Sequence, residues 1–306
     1  MSLLVRSLLL ISCLGLGSCA TLSRYEDATA HLAPGSLVEV DHQTVHVERV
    51  GQGRPLVLIH GFAASTYEFR KIIPLLAEHH QVIALDLSGF GYTERPTARE
   101  SYSPVGQADL VLRTLDTLGI NSCDLLGHSF GGTVALQLAS RHPERVRRLI
   151  LISPLSKVTR RPLLLASPPT RLLAYGTART LISMPCAFQS ALSQAYYQQD
   201  AFTREDSEEY RKRLLIEGLP RSFFSFSRSL VEKSEFNVDL TTIRPRTLII
   251  TGLHDRVIPL ASCREAAQAI PHAQLIVLEQ SGHSSPEEEP GKVAAAIHDF
   301  LQFQTE

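Results

Sequence analysis

The chain has 306 residues, 44% of them hydrophobic and 20% charged, a composition that can bury a core and is too apolar for a disordered polypeptide. At roughly 100–200 residues per domain, the length allows one large domain or two small ones. Thirty Lys and Arg against 31 Asp and Glu leave no basic excess to neutralise phosphates, which argues against a nucleic-acid binder. No apolar run of about 20 residues occurs beyond the N-terminus, which excludes a polytopic membrane protein. The five cysteines, Cys13, Cys19, Cys123, Cys186 and Cys263, form no Cys-x-x-Cys pair, which argues against structural zinc or a dense disulfide framework. The three in the body of the chain read as small buried apolar residues.

Residues 1–19 place Arg6 ahead of a short apolar stretch, Leu8–Leu16, which is the layout of a secretory signal. About 10 residues rising 1.5 Å each cannot cross a hydrocarbon layer of about 30 Å. The leader ends in Leu16-Gly17-Ser18-Cys19 and resembles the lipobox of bacterial lipoproteins. That resemblance implies a lipidated Cys19 and a bacterial cell-envelope location on a lipid anchor, with Ala20 favouring the outer membrane. An ordinary signal or an uncleaved anchor with a chance cysteine is the alternative. Residues 20–35 are small and polar and read as a tether that reaches roughly 50 Å when extended.

Leu37–Asp41 and Val45–Val50 alternate apolar and polar and predict an antiparallel hairpin. Pro55–Ile59, Val82–Leu87, Asp124–Leu126 with its flanks, Leu149–Ile152, Leu248–Ile250 and Leu275–Leu278 are short solid apolar runs. Helical spacing separates them, as in Val111, Leu112, Leu115 and Leu118, and again in Val293, Ile297, Phe300 and Leu301. Such runs predict parallel strands buried on both faces, in an α/β sheet with an antiparallel start. The alternation stops after Ser153-Pro154 and resumes near Pro245. Residues 155–244 hold ten aromatics and about four more cationic than anionic side chains, and they predict a helical cap over the sheet's C-terminal edge. The domain division is then 1–19 leader, 20–35 tether, 36–154 with 245–306 core, and 155–244 cap.

The sharpest chemical signal is Gly127-His128-Ser129-Phe130-Gly131-Gly132, between a strand and a helical run. A serine at such a turn sits on a tight bend with its hydroxyl exposed, and the flanking glycines remove side chains that would collide. Serine at its free pKa needs a base. His283, in the loop after the last strand, reaches the edge where open α/β sheets bind ligands. Asp255, in the loop one strand earlier, is placed to orient that imidazole. The order Ser129, Asp255, His283 follows. Charge developing on a carbonyl oxygen needs fixed donors: the N–H of Phe130 is one, and the loop His60–Ala64 offers the N–H of Phe62.

The segments LIHGF (58–62), ALDLSGFGYTERP (84–96), LLGHSFGG (125–132), TGLHDRVIP (251–259) and SGHSSPEEEP (281–290) resemble those of the α/β-hydrolase fold family, over about residues 36–154 and 245–303. The resemblance implies a mostly parallel eight-stranded sheet flanked by helices, an inserted helical cap and a Ser-Asp-His triad. Ser285 departs from the family, which often has proline there. A serine nucleophile implies acyl transfer, with Ser129 attacking, His283 taking the proton and water deacylating. The leading expectation is a carboxylic-ester hydrolase, of esterase or small-lipase type. It would act on a small-molecule ester without metal or cofactor, with the membrane as a partner through the anchor. Alternatives on the same triad are a carbon–carbon bond hydrolase, an amidase or thioesterase, and an acyltransferase. From another class comes a catalytically idle binding protein. Substrate and oligomeric state are not legible in the sequence.

Overall fold

The computed structural model describes residues 20–33, 36–158, 165, 167–232 and 234–302. The leader reading, with Cys19 as its lipidation site, lies outside the described residues. Eight strands form one sheet: β1 (Leu37–Val40), β2 (Gln43–Val50), β3 (Arg54–Ile59), β4 (His80–Leu85), β5 (Cys123–His128), β6 (Val146–Ile152), β7 (Arg246–Gly252) and β8 (Gln274–Leu278). Their spatial order is β1-β2-β4-β3-β5-β6-β7-β8. The pairs β1–β2 and β2–β4 are antiparallel and all others parallel. Every apolar run read from the sequence is a strand. The fourth strand ends at Leu85 rather than Leu87.

The helices are α1 (Tyr25–Thr29), α2 (Ile73–Ala77), α3 (Pro104–Thr117), α4 (Phe130–Arg141), α5 (Pro168–Ser183), α6 (Pro185–Ser193), α7 (Arg204–Leu214), α8 (Leu219–Glu232), α9 (Leu260–Ala269), α10 (Ser285–Glu288) and α11 (Pro290–Gln302). None among the described residues is long and apolar enough to cross a membrane. Side chains alternate across a strand, so one strand feeds two cores. Val57, Ile59, Leu125, Leu149, Leu151 and Ile249 face α3, α4 and α9. Their neighbours Leu56, Leu58, Leu126, Ile150, Leu248 and Ile250 face α2 and α11. This two-sided burial explains why the strands read as unbroken apolar runs. Val111 and Leu115 of α3, and Val293, Ile297, Phe300 and Leu301 of α11, are the buried stripes their spacing predicts.

Between β6 and β7 the described residues form α5–α8 and short 3₁₀ turns and add no strand to the sheet. Their aromatics divide. Phe188, Tyr196, Phe202 and Tyr210 pack in a separate cluster with Leu214 and Leu219, whereas Phe226 and Phe236 join the main core. Two sequence readings are corrected. Residues 20–33 do not run free as a tether. Leu22 packs into the cluster of the inserted helices, Ser23 pairs with Leu215 and Glu217 at 2.8 and 2.9 Å, and the Tyr25 hydroxyl donates to the Tyr92 carbonyl at 2.9 Å. A polar composition did not reveal that one leucine and the backbone suffice to dock this segment. Of the body cysteines, Cys123 and Cys263 are buried, but Cys186 is exposed.

Asp86 is the charged post of this fold. Fully buried where β4 ends, its carboxylate accepts the N–H of Thr66 at 2.6 Å and of Tyr92 at 2.8 Å, and meets His46 Nδ1 at 2.8 Å. Burial alone would raise its pKa. The charge and hydrogen bond of His46, the charge of His60 and the Tyr92 N–H outweigh burial and bring it down to about 2. Gly91, at φ +52°, leaves room for this carboxylate, which a Cβ would meet at 1.9 Å. Because the folded value lies below the ordinary 3.8, the stabilisation is complete above that pH and drains as pH falls towards 2. Asp86→Ala should lose about 3 kcal/mol or more at pH 7, leaving His46 and two N–H groups unpaired. Urea denaturation at pH 7 and pH 3 checks this: wild type should lose stability on acidification, and the variant should lose less.

Candidate active site

Parallel strands end on the same edge, and that edge collects the three residues the sequence singles out. Ser129 follows β5 directly and has φ +51° and ψ −115°, a left-handed backbone that costs a non-glycine residue about 1–3 kcal/mol. The surroundings hold it there. Its N–H donates to the Ile152 carbonyl at 2.9 Å, and its own carbonyl accepts from Gly132 and Leu155, both at 3.0 Å. The turn is tight enough that a Cβ on Gly127 would meet the Gly131 carbonyl oxygen at 2.3 Å, and one on Gly131 would meet the Ile59 carbonyl oxygen at 2.2 Å. Helix α4 starts at Phe130, and its first N–H groups have no intrahelical acceptor.

His283 lies in the loop after β8, and its Nδ1 is 2.9 Å from Asp255 Oδ2 in the loop after β7. A carboxylate only accepts, so Nδ1 carries a proton, and in the neutral ring the lone pair is then on Nε2. The other oxygen of Asp255 accepts the N–H of Val257 and of Ile258, both at 2.8 Å. Burial pushes the Asp255 carboxyl up, but the hydrogen bond and charge of His283 and the Ile258 N–H hold it below the usual range. The His283 N–H donates to the Ala195 carbonyl of the inserted segment at 2.8 Å. Ser285 does open a helix, α10, with its hydroxyl 3.0 Å from that of Ser281, so the departure from the family's proline leaves the histidine loop in place.

Ser129 and His283 share a cavity of about 110 Å³ with Phe62 of the loop after β3 and with Phe188, Leu192, Tyr196, Tyr210 and Leu214 of the inserted segment. The Phe62 ring stacks on Phe226 of α8 with centroids 4.3 Å apart. Among the described residues, the N–H groups of Phe62 and Phe130 donate to no protein acceptor. The structure thus brings together all five residues named from the sequence for this site, Ser129, Asp255, His283, Phe62 and Phe130. Asp86 and Asp124 stay apart from it: Asp86 is the post described above, and Asp124 pairs with Arg147 at the far end of β5.

Two buried carboxylates stand beside these residues, Glu68 in the cavity wall and Glu287 behind its tyrosines. Glu68 contacts His128, the residue before Ser129, at 2.7 Å. Glu287 in α10 accepts the hydroxyls of Tyr196 and Tyr210, both at 2.5 Å, and pairs with Arg70 at 2.9 Å. Burial, opposed by Arg70 and the two tyrosines, leaves the Glu287 carboxyl above the usual range. The sequence signal for the first was a histidine inside the serine motif. The acid run at 287–289 gave no hint of which carboxylate points inward.

The alpha/beta hydrolase fold family model matches residues 54–290, and the chain belongs to that family. A 2-hydroxymuconate semialdehyde hydrolase of Pseudomonas putida is 33% identical over 266 residues, 82% of this chain and 88% of the relative. Among solved structures, a meta-cleavage product hydrolase of Pseudomonas fluorescens IP01 superposes with a TM-score of 0.73 at 26% identity, over 87% of this chain and 97% of that one. A membrane phospholipase A, described as a bacterial virulence factor, superposes with a TM-score of 0.70 at 27% identity, over 87% of this chain and 84% of that one. The chain is therefore an enzyme-family hydrolase whose relatives include carbon–carbon bond hydrolases and esterases.

Gly131→Ala should cost the upper end of the about 1–3 kcal/mol typical of overpacking, because the new methyl meets backbone rather than a movable side chain. Gly176→Ala, inside α5 with open space around it, should be neutral or stabilising by up to about 1 kcal/mol. Thermal denaturation of the two variants side by side checks the contrast.

Proposed function

We propose that this chain is a serine hydrolase that cleaves carboxylic esters of apolar acids through an acyl-enzyme. Ser129 attacks the carbonyl carbon, His283 Nε2 takes the hydroxyl proton, and Asp255 holds the ring in the required tautomer. The N–H groups of Phe62 and Phe130 receive the oxygen as it gains charge. His283 then returns the proton to the leaving alcohol, and water repeats the sequence on the acyl-enzyme. The observation that carries the reading is the Asp255–His283 hydrogen bond beside a cavity onto which Ser129 opens. Residues 155–244 serve as the cap whose aromatic and aliphatic side chains receive the acyl group.

Carbon–carbon bond hydrolysis is the second reading, and the names of the semialdehyde and meta-cleavage relatives favour it. A muconate semialdehyde carries a carboxylate, whose burial needs a cation or several hydrogen bonds. Among the described residues lining the cavity there is no Lys or Arg, and that favours an uncharged ester. A panel of p-nitrophenyl esters of increasing acyl length, run beside a meta-cleavage dienoate, decides between them. Turnover is expected for short- to medium-chain esters. A higher kcat/KM on the dienoate than on any ester would establish the carbon–carbon reading instead.

Ser129→Ala should lower turnover more than about 10³-fold in protein that melts near the wild-type temperature, since triad members act as a unit. Asp255→Asn should lower kcat by about 10⁴-fold, because the amide no longer favours the Nδ1–H tautomer or the imidazolium. Steady-state kinetics with active-site titration reads both, and near-full activity in either variant would move that role elsewhere.

Lipidation of Cys19 belongs to the same proposal, supported by Leu16-Gly17-Ser18 ahead of the cysteine. Each buried CH₂ adds about 0.8 kcal/mol of membrane binding. Cys19→Ser should abolish labelling by a fatty-acid analogue and shift the protein out of the membrane fraction. An unlabelled wild type would leave an unlipidated leader.

A further inference from the structure

The carboxylate of Glu68 and the imidazole of His128 are buried in the cavity wall beside Ser129, and neither has a step in the reaction above. Glu68 sits in the 3₁₀ turn Thr66–Phe69, just past the loop that carries Phe62. Its Oε2 accepts the N–H of Gly61 at 3.0 Å, and its Oε1 is 2.7 Å from His128 Nδ1. On the far side of the ring, His128 Nε2 is 2.9 Å from the backbone carbonyl oxygen of His283. A carbonyl only accepts, so Nε2 carries a proton and donates. The ring is therefore a strut with one end on the oxyanion loop, through Glu68 and Gly61, and the other on the histidine loop. Its own backbone is the residue before the nucleophile.

We propose that Glu68 and His128 are positioning residues that tie the Phe62 N–H and the His283 imidazole into one register around Ser129. The proposal rests on the triad reading. Three loops from β3, β5 and β8 have to meet within a few tenths of an ångström for serine, base and oxyanion donor to act together. Strand pairing fixes only where each loop begins. The side chain of Gly61 is absent where it matters: a Cβ there would come within 3.3 Å of both His128 Nδ1 and Ser129 Cβ, so this contact brings the oxyanion loop against the nucleophile. Both partners are buried. Burial pulls the His128 pKa down and pushes that of Glu68 up, and in each the partner's charge and the hydrogen bonds made to it together outweigh burial, as expected of an intact pair.

A strut that works through hydrogen bonds has a distinctive test. In Glu68→Gln, the amide oxygen still accepts from Gly61 and the NH₂ donates to an unprotonated His128 Nδ1, so the chain of contacts survives without charge. Glu68→Ala breaks it at both loops, and His128→Asn is too short to span the gap. The readout is the second-order rate of fluorophosphonate labelling of the purified chain, which needs the serine, its base and the oxyanion donors whatever the natural substrate is. Labelling of wild type but not of Ser129→Ala establishes the triad reading, and its absence in wild type would sink that reading separately. Given labelling, Glu68→Ala and His128→Asn should each slow it by about 10²-fold, comparable to the loss of an oxyanion donor. Glu68→Gln should stay near wild type, and the double variant Glu68→Ala/His128→Asn should be no slower than the worse single, as expected of residues acting as a unit. Should Glu68→Ala fail to fold, Glu68→Gln and His128→Asn carry the comparison. Wild-type rates in His128→Asn, a Gln variant as slow as the most damaged one, or losses that multiply in the double variant would each overturn the proposal.

Discussion

A left-handed backbone at Ser129 is the constraint on which the rest of the site depends. Such a conformation is unfavourable for serine and persists only because β5, β6 and α4 all hold it: its N–H is taken by β6, and Gly127 and Gly131 let the chain pass itself at contact distances. The bend does two things at once. It lifts the hydroxyl to the sheet's edge, where the cavity lies. It also starts α4 one residue later, so that the N–H of Phe130 is left without an intrahelical acceptor beside that hydroxyl. The exposed hydroxyl and the unpartnered N–H of Phe130 thus lie side by side at a single strained bend.

Around this turn the charged groups are arranged as buried pairs, each bridging segments distant in sequence. Asp255 and His283 join the loops after β7 and β8. Asp86 and His46 fasten the end of β4 to β2. Arg70 and Glu287, with Asp206, Tyr196 and Tyr210, join the core to the inserted helices. Buried pairs contribute little net energy compared with apolar side chains, yet breaking one leaves an uncompensated charge. Their effect here is geometric. The inserted helices are fastened through Glu287, four residues past His283, so the wall of the cavity and the His283 loop share one anchor.

The family relationship and the cavity bear on different questions. Hydrolases with different names lie on this one scaffold, because a fold does not fix the function grafted on it. What separates them is the surface the substrate meets. In this chain the cavity beside Ser129 is walled by Phe62, Phe188, Leu192, Tyr196, Tyr210 and Leu214, assembled from one core loop, two inserted helices and the segment between them. The same aromatics that would receive an acyl chain also pack on one another, as in Tyr196 on Phe202 with centroids 4.9 Å apart, so the pocket and the core of the insert are one cluster.

The sequence by itself determined the order of strands and helices, because doubly buried parallel strands must be solid apolar runs, and that periodicity is local. It also determined Ser129, because the glycines that a strand-to-helix bend requires lie within two residues of it. Asp255 and His283 were legible through chain order and position after strands, without any contact being visible. What only the tertiary structure decided is long-range and polar: that Glu68 backs His128, that Glu287 rather than Glu288 or Glu289 meets Arg70 and two tyrosines, that Asp86 is a post holding His46, Thr66 and Tyr92, and that residues 20–33 lie docked on the inserted segment. A carboxylate looks the same in a sequence whether it ends in water or in a buried pair. Its partner is chosen by strands and helices 20 to more than 200 residues away, and no local pattern carries that choice.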